Sequence, residues 1–188
     1  MTETSAAVAV AVLVGIGLVL IAGRRLRTRD RRALVRDLED RLEAGMAPGT
    51  GSHLESAPTV RRLAVLEATA NGDNDPTAAV VPVVRVDFET TDAPGMDLVF
   101  EYVADVLEAV HPVLTNRDDC VAHYDVEFTF GPGGLVVEGE CRRVSVPPEF
   151  ADRLLEDEEY RAFDLRRDVE RGDRSEGPPV LWGECTTY

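Results

Sequence analysis

The chain has 188 residues, 20 basic against 35 acidic, a net charge of −15 and three cysteines. Less a membrane segment and a linker, that length holds one domain with its own core rather than two. The acidity excludes a main domain that grips nucleic acid, because phosphate contacts need a basic face. The small, odd cysteine count excludes a disulfide framework.

All 20 basic residues are arginine; residues 46–188 carry 12 of them against 29 acids, and residues 24–45 carry 8 against 5. This is the composition typical of halophile proteins. Where the Debye length is about 3 Å, at 1 M salt, repulsion among surface carboxylates costs little.

Thr4–Gly23 is a run of 20 uncharged residues, mostly Ala, Val, Leu, Ile and Gly, which predicts a single transmembrane helix. Arg24, Arg25, Arg27, Arg29, Arg31 and Arg32 follow it, the reverse of a signal peptide's order of charge, so the span is expected to be retained. The positive-inside bias then puts the N-terminus outside and about 165 residues in the cytoplasm. The arginine cluster is suited to anionic lipid headgroups.

From residue 24 to 45 the helix is expected to continue, with Leu34, Val35, Leu38 and Leu42 on one stripe and i,i+4 pairs Arg36/Asp40 and Asp37/Arg41. The stripe could seed a homodimer or pack on the domain. Residues 46–58, with Gly45, Pro48, Gly49, Gly51 and Pro58 in or beside them, predict a flexible linker. Thr59–Ala70 has Val60, Leu63, Ala64, Glu67 and Ala68 at helical spacing, the favoured reading, although Leu63, Val65 and Glu67 equally suit a strand.

After a turn at Asn71–Pro76, Val80–Glu89 alternates as a strand, with Pro82 suggesting an edge or a late start. Asp92 and Pro94 open a helix carrying Leu98, Val99, Tyr102, Val103, Val106, Leu107 and Val110, expected to end near His111-Pro112. Cys120–Phe130 alternates, and Gly131-Pro132-Gly133-Gly134 predicts a hairpin into Leu135–Val146. Ser145, Pro147 and Pro148 open a helix with Phe150, Leu154 and Leu155, Tyr160–Val169 continues or succeeds it, and Val180–Cys185 reads as a last strand. The order, about β-α-β-β-α-β over residues 59–188, predicts an α+β domain with an antiparallel or mixed sheet and helices on one face.

A hairpin turning at Gly131–Gly134 would oppose Phe130 with Leu135, Glu127 with Glu138 and Asp125 with Glu140. Asp125, Glu127, Glu138 and Glu140 would then form a carboxylate face able to hold Mg²⁺, Mn²⁺ or Ca²⁺, or simply a solvated acidic face. Cys120-x-x-His123 with Cys141 and Cys185 has the donors of a zinc site, but positions 120 and 123 of a strand point to opposite faces. The repeated Gly-Glu-Cys at 139–141 and 183–185 reads better as two strands whose cysteines are reduced and face the core.

Asn71–Asp75 lacks the glycine and glutamate of an EF-hand, and Gly131–Gly134 opens no helix that could cradle a phosphate. No serine elbow is present, His53 lies in the linker and His111 ends a helix. Trp182 and Tyr188 could anchor a partner, though a lone Trp in a short strand more often fills the core. These residues favour a membrane-held interaction or scaffold domain with no cofactor, bound to lipid through residues 4–23 and the Arg24–Arg32 cluster and to a protein partner. The competing reading is a divalent-metal-dependent hydrolase.

Overall fold

The computed structural model describes residues 30–49, 53–66, 79–90, 92–117, 120–131, 139–173 and 177–185. The span Thr4–Gly23, the arginines as far as Arg29 and the turn at Asn71–Pro76 lie outside them. Among the described residues no helix is long and apolar enough to cross a membrane. The chain divides into two compact units, Met1–Asp37 and Leu38–Tyr188. Helix α1 covers residues 30–45, and in the second unit its Leu38 and Leu42, with Met46 after it, are buried.

The second unit is an α+β domain on a five-stranded mixed sheet whose spatial order, β1-β2-β3-β4-β5, follows the chain. The strands are β1 Thr59–Leu66, β2 Ala79–Asp87, β3 Tyr124–Phe130, β4 Glu140–Val146 and β5 Val180–Glu184. Helix α2, Met96–Thr115, connects β2 to the parallel β3; every other neighbouring pair is antiparallel. Helices α3, Pro148–Glu156, and α4, Ala162–Gly172, fill the connection from β4 to β5.

Thr59–Leu66 is a strand, which corrects the helical reading. Leu63, Ala64, Val65 and Leu66 lie opposite Pro82, Val81, Val80 and Ala79, so the ladder offered by β2 overrides a weak helical pattern. Nor is β2 an edge. Pro82 fits inside it because the β2–β3 ladder is interrupted there, between the bridge Val80–Val121 and the register resumed at Val83–Asp125. Helix α2 runs three residues past Pro112; one backbone donor is lost, while Val113 and Leu114 gain burial at 8% and 0% exposure.

The two faces of the sheet differ sharply. Val84, Val86 and Phe88, then Tyr124, Val126, Phe128 and Phe130, then Val144 and Val146 share the inner face and are buried. Phe88 stacks on Phe128 at 5.6 Å and meets Tyr102 of α2 edge-on at 5.1 Å, while Trp182 of β5 stacks on Phe130 at 6.1 Å. Each such side chain contributes roughly 1.5–3 kcal/mol on burial. The outer face carries Arg85, Asp87, Asp125, Glu127, Thr129, Cys141, Arg143 and Ser145, beside the buried Val81 and Val83 of β2.

Candidate functional site: the polar face of the sheet

The predicted hairpin register is replaced by another. Phe130 pairs with Glu140, Glu127 with Arg143 and Asp125 with Ser145, so residues 131–139, not four residues, connect the strands. Like charges that would have faced each other are exchanged for a carboxylate against a guanidinium, while Val144 and Val146 join Val126 and Tyr124 on the inner face. The turn's entry and exit need glycine. Gly131 has φ +110°, and a Cβ on Gly139 would come 2.7 Å from the Phe130 carbonyl oxygen.

Of the four carboxylates singled out in the sequence, Asp125 and Glu127 stand two residues apart on the outer face. Glu140 lies opposite Phe130, on the other face, exposed and 3.6 Å from Arg142. Glu138 is outside the described residues. Glu127 is fully buried, and its Oε2 accepts from Arg61 Nη1 at 2.7 Å and Arg85 Nη2 at 3.0 Å. Arg61 reaches it from a bulge: the β1–β2 register shifts between Val60 and Arg62, which turns the extra residue toward the outer face.

Asp125 is equally buried. Its Oδ2 accepts from Arg143 Nη1 at 3.1 Å, its Oδ1 accepts from the Ser145 hydroxyl, and His123 Nε2 lies 3.5 Å away. Burial, first, and Arg143 hold His123 below the ordinary imidazole range against the opposing pull of Asp125. Thr129 donates to Asp87 at the next level of the face. Arginines of β1, β2 and β4 surround the two carboxylates of β3, so each carboxylate brought out of water has at least one guanidinium beside it. Three atoms are left over: Glu127 Oε1, Arg85 Nε and Arg143 Nε are buried with no hydrogen-bond partner.

Cys141 and Cys185 form a disulfide with Cα atoms 5.8 Å apart, and Cys120 is free and exposed. This corrects the expectation of reduced cysteines facing the core. Because Arg142 pairs with Glu184, residues 141 and 185 fall opposite each other on the outer face. Cys120 precedes Thr129, the residue opposite Cys141, by nine positions, or about 30 Å of extended chain, so the four zinc donors are not gathered.

A second polar group, set aside in the sequence, lies in the core. The Tyr124 hydroxyl and His111 Nδ1 are hydrogen-bonded at 2.6 Å, and His111 Nε2 and Asp152 Oδ1 at 2.9 Å. Thr115 Oγ1 donates to the His111 carbonyl at 3.0 Å. Burial, then Asp152, pushes the Tyr124 hydroxyl far above its usual range. With Tyr124 2% exposed and His111 7%, these contacts tie β3 and α2 in the core to the exposed Asp152 of α3. They were legible: His111 extends the Val103–Leu107 stripe by four residues, and Tyr124 alternates with Val126 and Phe128.

No protein-family model matches the chain, no curated protein is similar to it, and no solved structure matches it.

Proposed function

We propose that the chain is a single-pass membrane protein whose acidic α+β domain is an interaction module, held on the cytoplasmic side to bind another protein. The uncharged span, the arginine flank after it and the acidic remainder support the anchor and its direction. The side chains that could do chemistry are engaged with one another: Glu127 with two arginines, Asp125 with Arg143 and Ser145, His111 with Tyr124 and Asp152. A divalent-cation hydrolase built on both carboxylates would need Asp125, engaged at both oxygens, to release its partners, at a cost of several kcal/mol.

The observation that carries the reading is Phe163, 67% exposed at the start of α4, in a domain whose other described aromatic residues are buried or half-buried. Leu155 of α3 is also exposed, at 39%. An exposed aromatic anchor on a helix that also carries charged residues, here Asp164 and Arg167, is a composition that protein interfaces use. The test is recovery of partners by the tagged full chain from native membranes in molar salt. A partner should co-purify, and Phe163→Ala should reduce its recovery about tenfold, the effect of roughly 1.4 kcal/mol. Repeated recovery of neither a partner nor a second copy would end this reading.

A further inference from the structure

We propose that, once its disulfide is reduced, the Cys141–Cys185 pair forms a Zn²⁺ site with Glu127 on the outer face of the sheet. The β4–β5 register sets the two cysteines opposite each other with Cα atoms 5.8 Å apart, and the β3–β4 register puts Cys141 opposite Thr129, two residues along the face from Glu127. Both sulfurs and a Glu127 carboxylate oxygen lie within 4.8 Å of one another. A tetrahedral Zn²⁺ with Zn–S bonds of about 2.3 Å holds two sulfurs about 3.8 Å apart, accepts a carboxylate oxygen and keeps one position for water. Two thiolates select such a borderline-soft ion over Mg²⁺ or Ca²⁺.

A second, independent observation points to a ligand. Glu127 is fully buried, both of its arginines bind Oε2, and Oε1 has no partner. Buried carboxylate oxygens are normally satisfied, so an orphan oxygen on the carboxylate that lies within 4.8 Å of two sulfurs marks a group with coordination to spare. Charge is compatible. Arg61, Arg85 and Arg143 against Glu127, Asp125 and Asp87 leave this patch neutral, and two thiolates plus Zn²⁺ add no charge. The same arginines favour the thiolate form that a metal needs.

The route is thiol–disulfide exchange with a dithiol reductant. The bond between the two cysteine sulfurs breaks, one forms in the reductant, and its two protons pass to the protein's thiols. Zn²⁺ binding then releases both protons. A cytoplasmic domain, as the arginine flank predicts, would hold the pair in the dithiol form.

The experiment is anaerobic Co²⁺ titration of the reduced full chain in detergent and molar KCl, with Cys120→Ser to remove the free thiol. One Co²⁺ per chain should bind with a thiolate-to-cobalt charge-transfer band, and Zn²⁺ should displace it. Cys141→Ser or Cys185→Ser should abolish the band. Glu127→Gln should weaken binding by more than the roughly 10-fold lower limit for outer-shell changes, and Glu127→Asp, which keeps the charge on the face, should alter the ligand-field bands. Absence of the charge-transfer band from reduced, folded protein overturns the proposal, as does a spectrum that neither Glu127 variant changes.

Discussion

Replacing Glu127 by Gln keeps the side chain's shape and removes its charge from the centre of the outer face. Two charge-assisted hydrogen bonds, at 2.7 Å from Arg61 and 3.0 Å from Arg85, are weakened together. Such bonds contribute about 1.5–3 kcal/mol each. The arginine side chains are 38% and 29% exposed, so water takes over part of what they lose. The lower end applies, for a total of about 3 kcal/mol. For a domain of this size that is a fall of roughly 10 °C in Tm. Thermal unfolding of the full chain in detergent reads it through Trp182, the single tryptophan, which stacks on the inner face of the sheet. A double-mutant cycle with Arg85→Gln should return a coupling of about 1–2 kcal/mol that persists from roughly 0.5 to 3 M KCl, because no solvent reaches Glu127. The Arg166–Glu170 pair, with side chains 29% and 40% exposed, should show a coupling that salt removes. A loss under about 1 kcal/mol, or an Arg85–Glu127 coupling that decays with salt as the surface pair does, would refute the reasoning.

Phe128→Ala removes a fully buried ring from between Phe88 and Trp182 and should cost about 3–5 kcal/mol, measured by the same melts. His123 is held below its ordinary value of 6.5, so the unfolded chain takes up its proton more readily. Its contribution is therefore full above that pH and lost as pH falls from there through the folded value; His123→Gln should flatten Tm between about pH 7 and 5. Burial, then Glu108 and Glu101, raises Asp105, so its charge opposes folding above its folded pKa. Asp105→Asn should accordingly raise Tm at neutral pH, and molar KCl should remove only the part due to the two glutamates. With arginines and Ser145 holding the carboxylates, Mg²⁺, Mn²⁺ or Ca²⁺ at fixed ionic strength should leave Tm unchanged; stabilisation near the roughly 2.7 kcal/mol expected at 100 times Kd would contradict that.

Elements whose pattern is local and long were legible. Helix α2 announces itself through seven apolar residues at helical spacing, and β2, β3 and β5 through alternation or β-branched content. What could not be read locally was decided between strands. Thr59–Leu66 carries both periods, and its partner β2 chose the strand. Pro112 marks a helix end by its own chemistry, yet Val113 and Leu114 could be buried only by continuing. Asp125 and Glu127 were visible as charges on the polar face of a strand, but the burial of Glu127 depends on Arg61 and Arg85, 66 and 42 residues away in sequence, and that of Asp125 on Arg143 and Ser145 across the strand pair. The disulfide was hidden for the same reason: Cys141 and Cys185 are 44 residues apart and meet only through the β4–β5 register.

The β3–β4 register is itself held by the charges. Slide β4 by two residues so that Val144 meets Phe128 and Val146 meets Val126, and the inner face stays apolar, so hydrophobic burial discriminates weakly between the two pairings. The outer face does not tolerate the slide. Arg143 would move opposite Thr129, Ser145 opposite Glu127, and Asp125 would face Pro147, which has no N–H to offer, while Cys141 would leave its place opposite Cys185. A buried carboxylate stripped of its partners costs about 3–5 kcal/mol, far more than the slide could recover elsewhere. Ordinary surface charges, screened within about 3 Å at 1 M salt, could not enforce such a choice there. Pairs buried on a sheet face can, and placing Asp125 and Glu127 there lets an acidic chain use its charges to specify which strand residues meet.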